Sequence, residues 1–294
     1  MRIFLTGANG FIGGAVAVAL TAAGHRVRGL VRSSEKAELV RAYGVETVIG
    51  SLDDGALLQA EARDADAVIN AASSDHRGAV EALIAALSGT GKPFIHSSGT
   101  SIVADLALGE PSERIFDETT PIEPLPERAA RVEIDQLVLA ANGIRSIVLC
   151  NTMIYGHALG PPAQSVQIPA LVRQAKVSGT ARYVGRGLNR WSNVHIADVA
   201  ALYVLALAKS PAGTFMYVES GEEALGAIAE AIAARLGLGA PQPWSAAEAI
   251  AFWGRNLAVL SLGSNSRVRG EAAAALGWLP ARRSVTQWIA DELP

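Results

Sequence analysis

Cysteine, lysine and long apolar runs are what this 294-residue chain has least of. The one cysteine, Cys150, cannot close an internal disulfide, and its place in the apolar run Ser146 to Cys150 fits a small buried residue in a reducing compartment. With only five scattered histidines beside it, no metal-ligand spacing exists. Lysine occurs four times against twenty-one arginines, and the formal net charge is −3. A dedicated nucleic-acid binder needs a basic surface to neutralise phosphates, so that class is excluded. The longest alanine-rich stretches, such as residues 11–23, are too short to span a bilayer, and no charged leader precedes an apolar run near Met1. The expectation is a cytoplasmic protein with no membrane partner. Half of the residues are hydrophobic and 18% are charged, which predicts a sizeable buried core instead of disorder.

What is present is an alternation. Short β-type runs at 2–5, 26–31, 46–49, 67–70, 93–96 and 146–149 are separated by helical patterns at 13–23, 34–43, 54–62, 77–87 and 127–141. Nearly continuous apolar strand centres predict a parallel sheet covered by helices on both faces. Gly24, Gly44 and Gly143 fall where left-handed C-caps are wanted. After Asn151 the rhythm changes: prolines break it, a helix is expected over 169–177, and a strand–helix unit over 192–208 leads to a β-run at 214–218. The tail is expected to be helical at 222–235, 246–253, 271–275 and 285–293. The predicted fold class is α/β, a doubly wound parallel sheet over residues 1–151 with a smaller, interleaved lobe over 152–294. Residues 192–218 are expected to return to the sheet.

The first strand runs into Thr6-Gly7-Ala8-Asn9-Gly10-Phe11-Ile12-Gly13. Gly7 suits a tight turn, Gly10 a close backbone approach to a pyrophosphate, and Gly13 close packing of helix on strand. The following helix N-terminus offers free N–H groups to phosphates. Strand, glycine turn and helix in this order predict a dinucleotide cradle. The next strand ends Leu30-Val31-Arg32-Ser33-Ser34, with no acidic residue between Gly24 and Ser34 to accept a ribose 2′-OH. Arg32 can pair with a 2′-phosphate, and Ser33 and Asn9 can add hydrogen bonds, so NADP is preferred over NAD.

These residues resemble the extended branch of the short-chain dehydrogenase/reductase superfamily, the NAD(P)-dependent epimerase/dehydratase-like proteins with a Rossmann fold. Further pieces of the resemblance follow in order: Asn70-Ala71-Ala72-Ser73, His96-Ser97-Ser98-Gly99-Thr100, Met153-Ile154-Tyr155-Gly156, Val194-His195-x-x-Asp198-x-Ala200 and Leu276-Gly277-Trp278-x-Pro280. The resemblance implies cofactor contacts from Phe11, Ile12, Ala71, Ala72, Ser73 and Ser97, and an active-site hydroxyl in the Ser97–Thr100 loop. It also implies a Tyr acid/base followed four residues later by Lys. This chain has no Tyr-x-x-x-Lys anywhere. Taking Glu133 as the glutamate that follows that pair puts Leu125 and Ala129 in place of Tyr and Lys. The candidate substitutes are Ser98 and Thr100, with Arg128 and Arg131 available to orient an anion or polarise a carbonyl. Tyr155 and His157 are weaker candidates. His195 reads as strand-end packing, Asp198 as a helix cap, and His96 as a satisfied core residue. The functional expectation is an NADP(H)-dependent oxidoreductase acting on a small carbonyl or hydroxyl substrate, an apolar one if Trp244, Phe252 and Trp253 line the cleft. The alternatives are a non-catalytic NADP(H) sensor and a nucleotide-sugar epimerase or dehydratase.

Overall fold

The computed structural model describes residues 1–294. Six strands, β1 (Arg2–Thr6), β2 (Arg26–Val31), β3 (Glu46–Ile49), β4 (Ala67–Asn70), β5 (Pro93–Gly99) and β6 (Arg145–Asn151), alternate with five helices. The helices are α1 (Phe11–Ala22), α2 (Ser34–Arg41), α3 (Gly55–Asp64), α4 (Arg77–Leu87) and α5 (Pro126–Leu139). Beyond Asn151 follow β7 (Met153–Tyr155), α6 (Gln167–Ser178), β8 (Arg182–Val184), β9 (Arg190–His195), α7 (Ile196–Lys209), β10 (Thr214–Val218), β11 (Gly221–Ala224), α8 (Leu225–Arg235) and β12 (Gln242–Trp244). The main sheet has the order β3-β2-β1-β4-β5-β6-β10, all parallel. The order reverses between β1 and β4, which opens the crevice where such sheets bind ligands.

Helices cover both faces because the strands bury both. Ile3, Leu5, Val27, Val31, Ile69, Ile95, Ile147 and Leu149 pack with α1, α2 and α7. Phe4, Leu30, Val68, Phe94 and Val148 pack with α3, α4 and α5. Gly24, Gly44 and Gly143 adopt φ of +82°, +76° and +70°, as the caps require.

Of residues 192–218, only β10 joins the main sheet, beside β6; β9 pairs with β7 and β11 in a three-stranded sheet of the smaller lobe. The expected helix over 222–235 begins three residues late for a tertiary reason. Glu222 is drawn into β11, where it accepts from Arg190 Nε at 2.7 Å, Arg267 Nε at 3.1 Å and Arg269 Nη1 at 3.1 Å. Three guanidiniums from distant segments override the helical preference of a Glu-Glu-Ala run. The smaller lobe has its own apolar core, in which Ile228, Ile232, Leu260 and Ile289 are buried. No helix is long and apolar enough to cross a membrane.

Candidate active site

The glycine turn closes on itself. Gly7 has φ +76°, and a Cβ there would sit 2.6 Å from the Ala71 carbonyl oxygen. A Cβ on Gly13 would overlap the Gly7 carbonyl, so only glycine lets α1 start this close to β1. No side chain caps α1, which leaves its first N–H groups facing the turn. Gly7, Asn9, Gly10, Arg32, Ala71, Ala72 and Ser73 line one cavity of about 380 Å³. Uncapped N–H groups beside this cavity, which Gly10 lines, suit a pyrophosphate. Arg32 is exposed at the end of β2 and forms no ion pair. The Ser33 hydroxyl is committed to capping α2, where it accepts from Lys36 N at 3.3 Å.

A second cavity of about 590 Å³ adjoins the first along the strand ends and is lined by Phe11, Ile12, Ser98, Thr100, Arg128 and Arg131 among others. Strand alternation separates the two adjacent serines. Ser97 Oγ accepts from the Tyr203 hydroxyl at 2.7 Å, and that hydroxyl accepts from Asn151 Nδ2 at 3.1 Å. Ser98 faces the cleft together with Thr100, whose buried Oγ1 has no partner.

The Ser98 hydroxyl donates to Asp135 Oδ2 at 2.6 Å. Asp135 lies on α5 and is 3% exposed, so desolvation is the dominant influence on it and pushes its carboxyl up to about 7. Its other oxygen faces His96 Nε2 at 3.6 Å, and neither atom has another partner. His96 is therefore not the fully satisfied core residue expected from its strand. Burial first, then the charge of Arg131, brings its imidazole down to about 4. His96 Nδ1 meets Asn70 Nδ2 at 3.1 Å, and Asn70 Oδ1 accepts from Thr6 Oγ1 at 2.5 Å. A continuous polar row thus runs beneath the crevice from the strand before the glycine turn to Ser98.

Glu133 points outward to Arg77 at 3.4 Å, while Arg128, Arg131 and Asp135, at i, i+3 and i+7, turn towards the cleft side. Arg131 grips Asp75 with Nε at 2.8 Å and Nη2 at 2.6 Å, and donates Nη1 to Ser101 Oγ at 2.9 Å. Arg128 donates Nη2 to Asn256 Oδ1 at 2.6 Å. Asp135, Asp75, Asn151 and Tyr203 were not singled out from the sequence. The i, i+3, i+7 spacing on α5 was the available signal for the first of them.

The remaining candidates lie apart from this cluster. Tyr155 is buried with its hydroxyl unpartnered, and burial pushes its phenol above its ordinary value, making it a weaker acid. His157 Nε2 meets the Glu292 carbonyl at 3.1 Å in a separate groove of about 470 Å³. The cap of α7 is His195, whose Nδ1 accepts from Ala197 N at 3.1 Å, and not Asp198. Asp198 instead accepts from the backbone N–H groups of Ala281 and Arg282 at 2.9 and 3.0 Å. Trp244, Phe252 and Trp253 form an aromatic cluster with centroids 5.2–5.9 Å apart, outside the residues that line the cleft. Cys150 is fully buried, and burial pushes its thiol up.

Comparison with known proteins places the chain among described relatives. The chain is 33% identical to an oxidase, ucsJ, of Acremonium sp, over 95% of this chain and 92% of that one. It is 29% identical to the 4-hydroxy-2-methyl-3-oxo-4-farnesyl-3,4-dihydroquinoline-1-oxide ketoreductase of Stigmatella aurantiaca, over 75% and 69% of the two chains. Among solved structures, the DesIV dTDP-glucose 4,6-dehydratase of Streptomyces venezuelae shares the fold with a TM-score of 0.78 at 21% identity, covering all of this chain and 96% of that one. The family profile matches residues 3–217, and the chain belongs to the NAD dependent epimerase/dehydratase family.

Proposed function

We propose that the protein is an NADP(H)-dependent oxidoreductase that interconverts a small carbonyl compound and its alcohol, with Ser98 and Asp135 in place of the missing Tyr/Lys pair. The observation that carries this reading is the 2.6 Å hydrogen bond from Ser98 to Asp135 at the wall of the cleft beside the dinucleotide cradle. A bound reduced nicotinamide would supply the hydride, leaving the protein to position the acceptor and deliver a proton. Gly7, Asn9, Gly10, Ala71, Ala72 and Ser73 would hold the cofactor, with the α1 N-terminus at its pyrophosphate. Arg32, free of any acid partner, supports NADP over NAD. A serine hydroxyl alone is a poor acid. When the Asp135 carboxyl, poised near 7, is protonated, it becomes the donor in this bond, so the Ser98 proton is free to pass to a developing alkoxide and is replaced from Asp135. Thr100 Oγ1, buried and unpartnered, is a second donor for the same oxygen. The Stigmatella ketoreductase supports chemistry at a keto group, and the Acremonium oxidase supports redox chemistry in general.

The test is NADPH oxidation with a panel of ketones and aldehydes, using the wild type, Ser98→Ala and Asp135→Asn. Each variant should lose at least about a hundredfold in kcat. Wild-type carbonyl reduction should decline as pH rises through about 7, where Asp135 gives up its proton. An Asp135→Asn variant with wild-type rate and pH profile would defeat the assignment.

A further inference from the structure

Three charged side chains line the cleft: Asp75, Arg128 and Arg131. Asp75 and Arg131 neutralise each other through two short hydrogen bonds. Arg128 is left over. It has no acid partner: of the two acids nearest enough to act on it, Asp75 is held by Arg131, and Glu127 is paired with Arg255 at 3.1 Å. Its Nε is buried without any partner, and its short bond goes to the neutral Asn256. Because Asn256 Oδ1 accepts from Arg128, the group it has left is the Nδ2 amide, which can only donate. A guanidinium lacking its counter-charge and an amide offering N–H groups thus meet across the cleft. One comes from α5 of the sheet domain, the other from the short turn Arg255–Leu257 of the smaller lobe.

We propose that Arg128 and Asn256 bind a carboxylate borne by the substrate, so that the protein acts on oxo acids. This rests on the reductase reading above and names its substrate class. A half-buried guanidinium without an anion is an electrostatic vacancy, and charge-assisted bonds to a carboxylate are the strong way to fill it. The single uncompensated positive charge fits a monoanion better than the diphosphate of a sugar nucleotide. Position sets the length of the molecule. Arg128 and Asp135 are seven residues apart on one helix, about 10 Å along its axis. With the reacting oxygen at Ser98, the carboxylate lies several bonds from the carbonyl, which disfavours short 2-oxo acids.

The test uses azelaic semialdehyde and levulinate, each against its methyl ester, with pyruvate as the short control. In NADPH turnover, azelaic semialdehyde should exceed its ester in kcat/KM by at least about tenfold, and pyruvate should be poor. Arg128→Gln should collapse the acid-to-ester ratio towards one. Asn256→Asp, an exposed change that supplies Arg128 with an internal counter-charge, should do the same. Calorimetry with nonanoate on NADP⁺-loaded protein gives a readout without turnover: binding should weaken with salt and fall at least about tenfold in both variants. Nonanoate binding indifferent to both variants, or acids no better than esters, overturns the proposal. Turnover of esters and acids alike without nonanoate binding would sink the anion site and leave the reductase reading standing. Arg128-dependent nonanoate binding with no carbonyl turned over would do the reverse.

Discussion

Asp135 Oδ1 and His96 Nε2 face each other at 3.6 Å beneath the cleft, and the two groups are buried with opposite preferences for a proton. The carboxyl stays protonated up to about 7, against an ordinary value of 3.8; the imidazole stays neutral down to about 4, against 6.5. As pH rises from about 4 to 6.5, folded Asp135 holds more proton than its unfolded form, so its contribution to stability falls. Folded His96 holds less than its unfolded form over the same range, so its contribution rises. The two slopes oppose each other.

Urea unfolding across this range should therefore show little net slope from the pair in the wild type. Asp135→Asn removes one side and should leave stability rising with pH, by up to about 1.4 kcal/mol per pH unit. His96→Gln should leave it falling up to about pH 7, where Asp135 is finally ionised. Wild-type slopes in both variants would show that the facing groups do not contribute opposing slopes in this way.

Arg32 offers a test of cofactor choice. It stands alone at the end of β2, lining the cavity with Gly7, Asn9 and Gly10. Arg32→Ala should weaken NADPH by at least about tenfold while changing NADH little, because a bidentate charged contact to a 2′-phosphate is worth roughly 1.5–3 kcal/mol. Arg32→Asp should turn the preference towards NADH by adding the ribose acceptor that the strand lacks. Fluorescence titration with both cofactors checks this, and an Arg32→Ala protein with equal losses for the two would contradict the assignment.

Gly13 and Gly24 separate two reasons for glycine. At Gly13 a Cβ would overlap the Gly7 carbonyl, whereas at Gly24, with φ +82°, it would meet nothing within 4 Å. Gly24→Ala should thus cost only left-handed strain, about 1–2 kcal/mol, with cofactor affinity intact. Gly13→Ala must push α1 off β1 and should lose about 1–3 kcal/mol together with most cofactor affinity. Thermal unfolding paired with NADPH titration distinguishes them; intact affinity in Gly13→Ala would mean that the cradle does not depend on this close approach.

The sequence was most legible where interactions are local. Strands β2, β3 and β4 fall on the expected residues because each holds a short apolar or β-branched stretch, Leu30-Val31, Thr47-Val48-Ile49 and Ala67-Val68-Ile69. The three-residue strands β7, β8 and β12 carry no periodicity of their own and form only as partners of other segments. Residues 222–224 read as helix because nothing nearby announces that Arg190, Arg267 and Arg269 converge on Glu222. The glycine cradle was legible for the same local reason. The Ser98–Asp135 pair was not, since it joins residues 37 positions apart through the docking of α5 on β5. Ser97 and Ser98 could not be told apart until the strand fixed which of them faces Asp135 and which Tyr203.

Two of the sequence motifs prove to be halves of one joint. Asp198 accepts the N–H groups of Ala281 and Arg282 with its carboxylate, and its carbonyl accepts Trp278 Nε1 at 3.0 Å. The joint ties the start of α7 to the loop that leads into the last helix, Val285–Glu292. That helix in turn sets Trp288 against Tyr155, with centroids 5.8 Å apart. Asp198→Ala keeps the Trp278 bond but strips two backbone donors of a charged acceptor, which should cost about 2–4 kcal/mol. The loss should be regional, because the glycine cradle makes no contact with this carboxylate in the hydrogen-bond network. Hydrogen exchange should accelerate across residues 278–293 before it changes in β1 or β4. Uniform acceleration through both lobes would mean that the tail unfolds only with the whole molecule, and unchanged protection over 278–293 would show that Asp198 does not hold it.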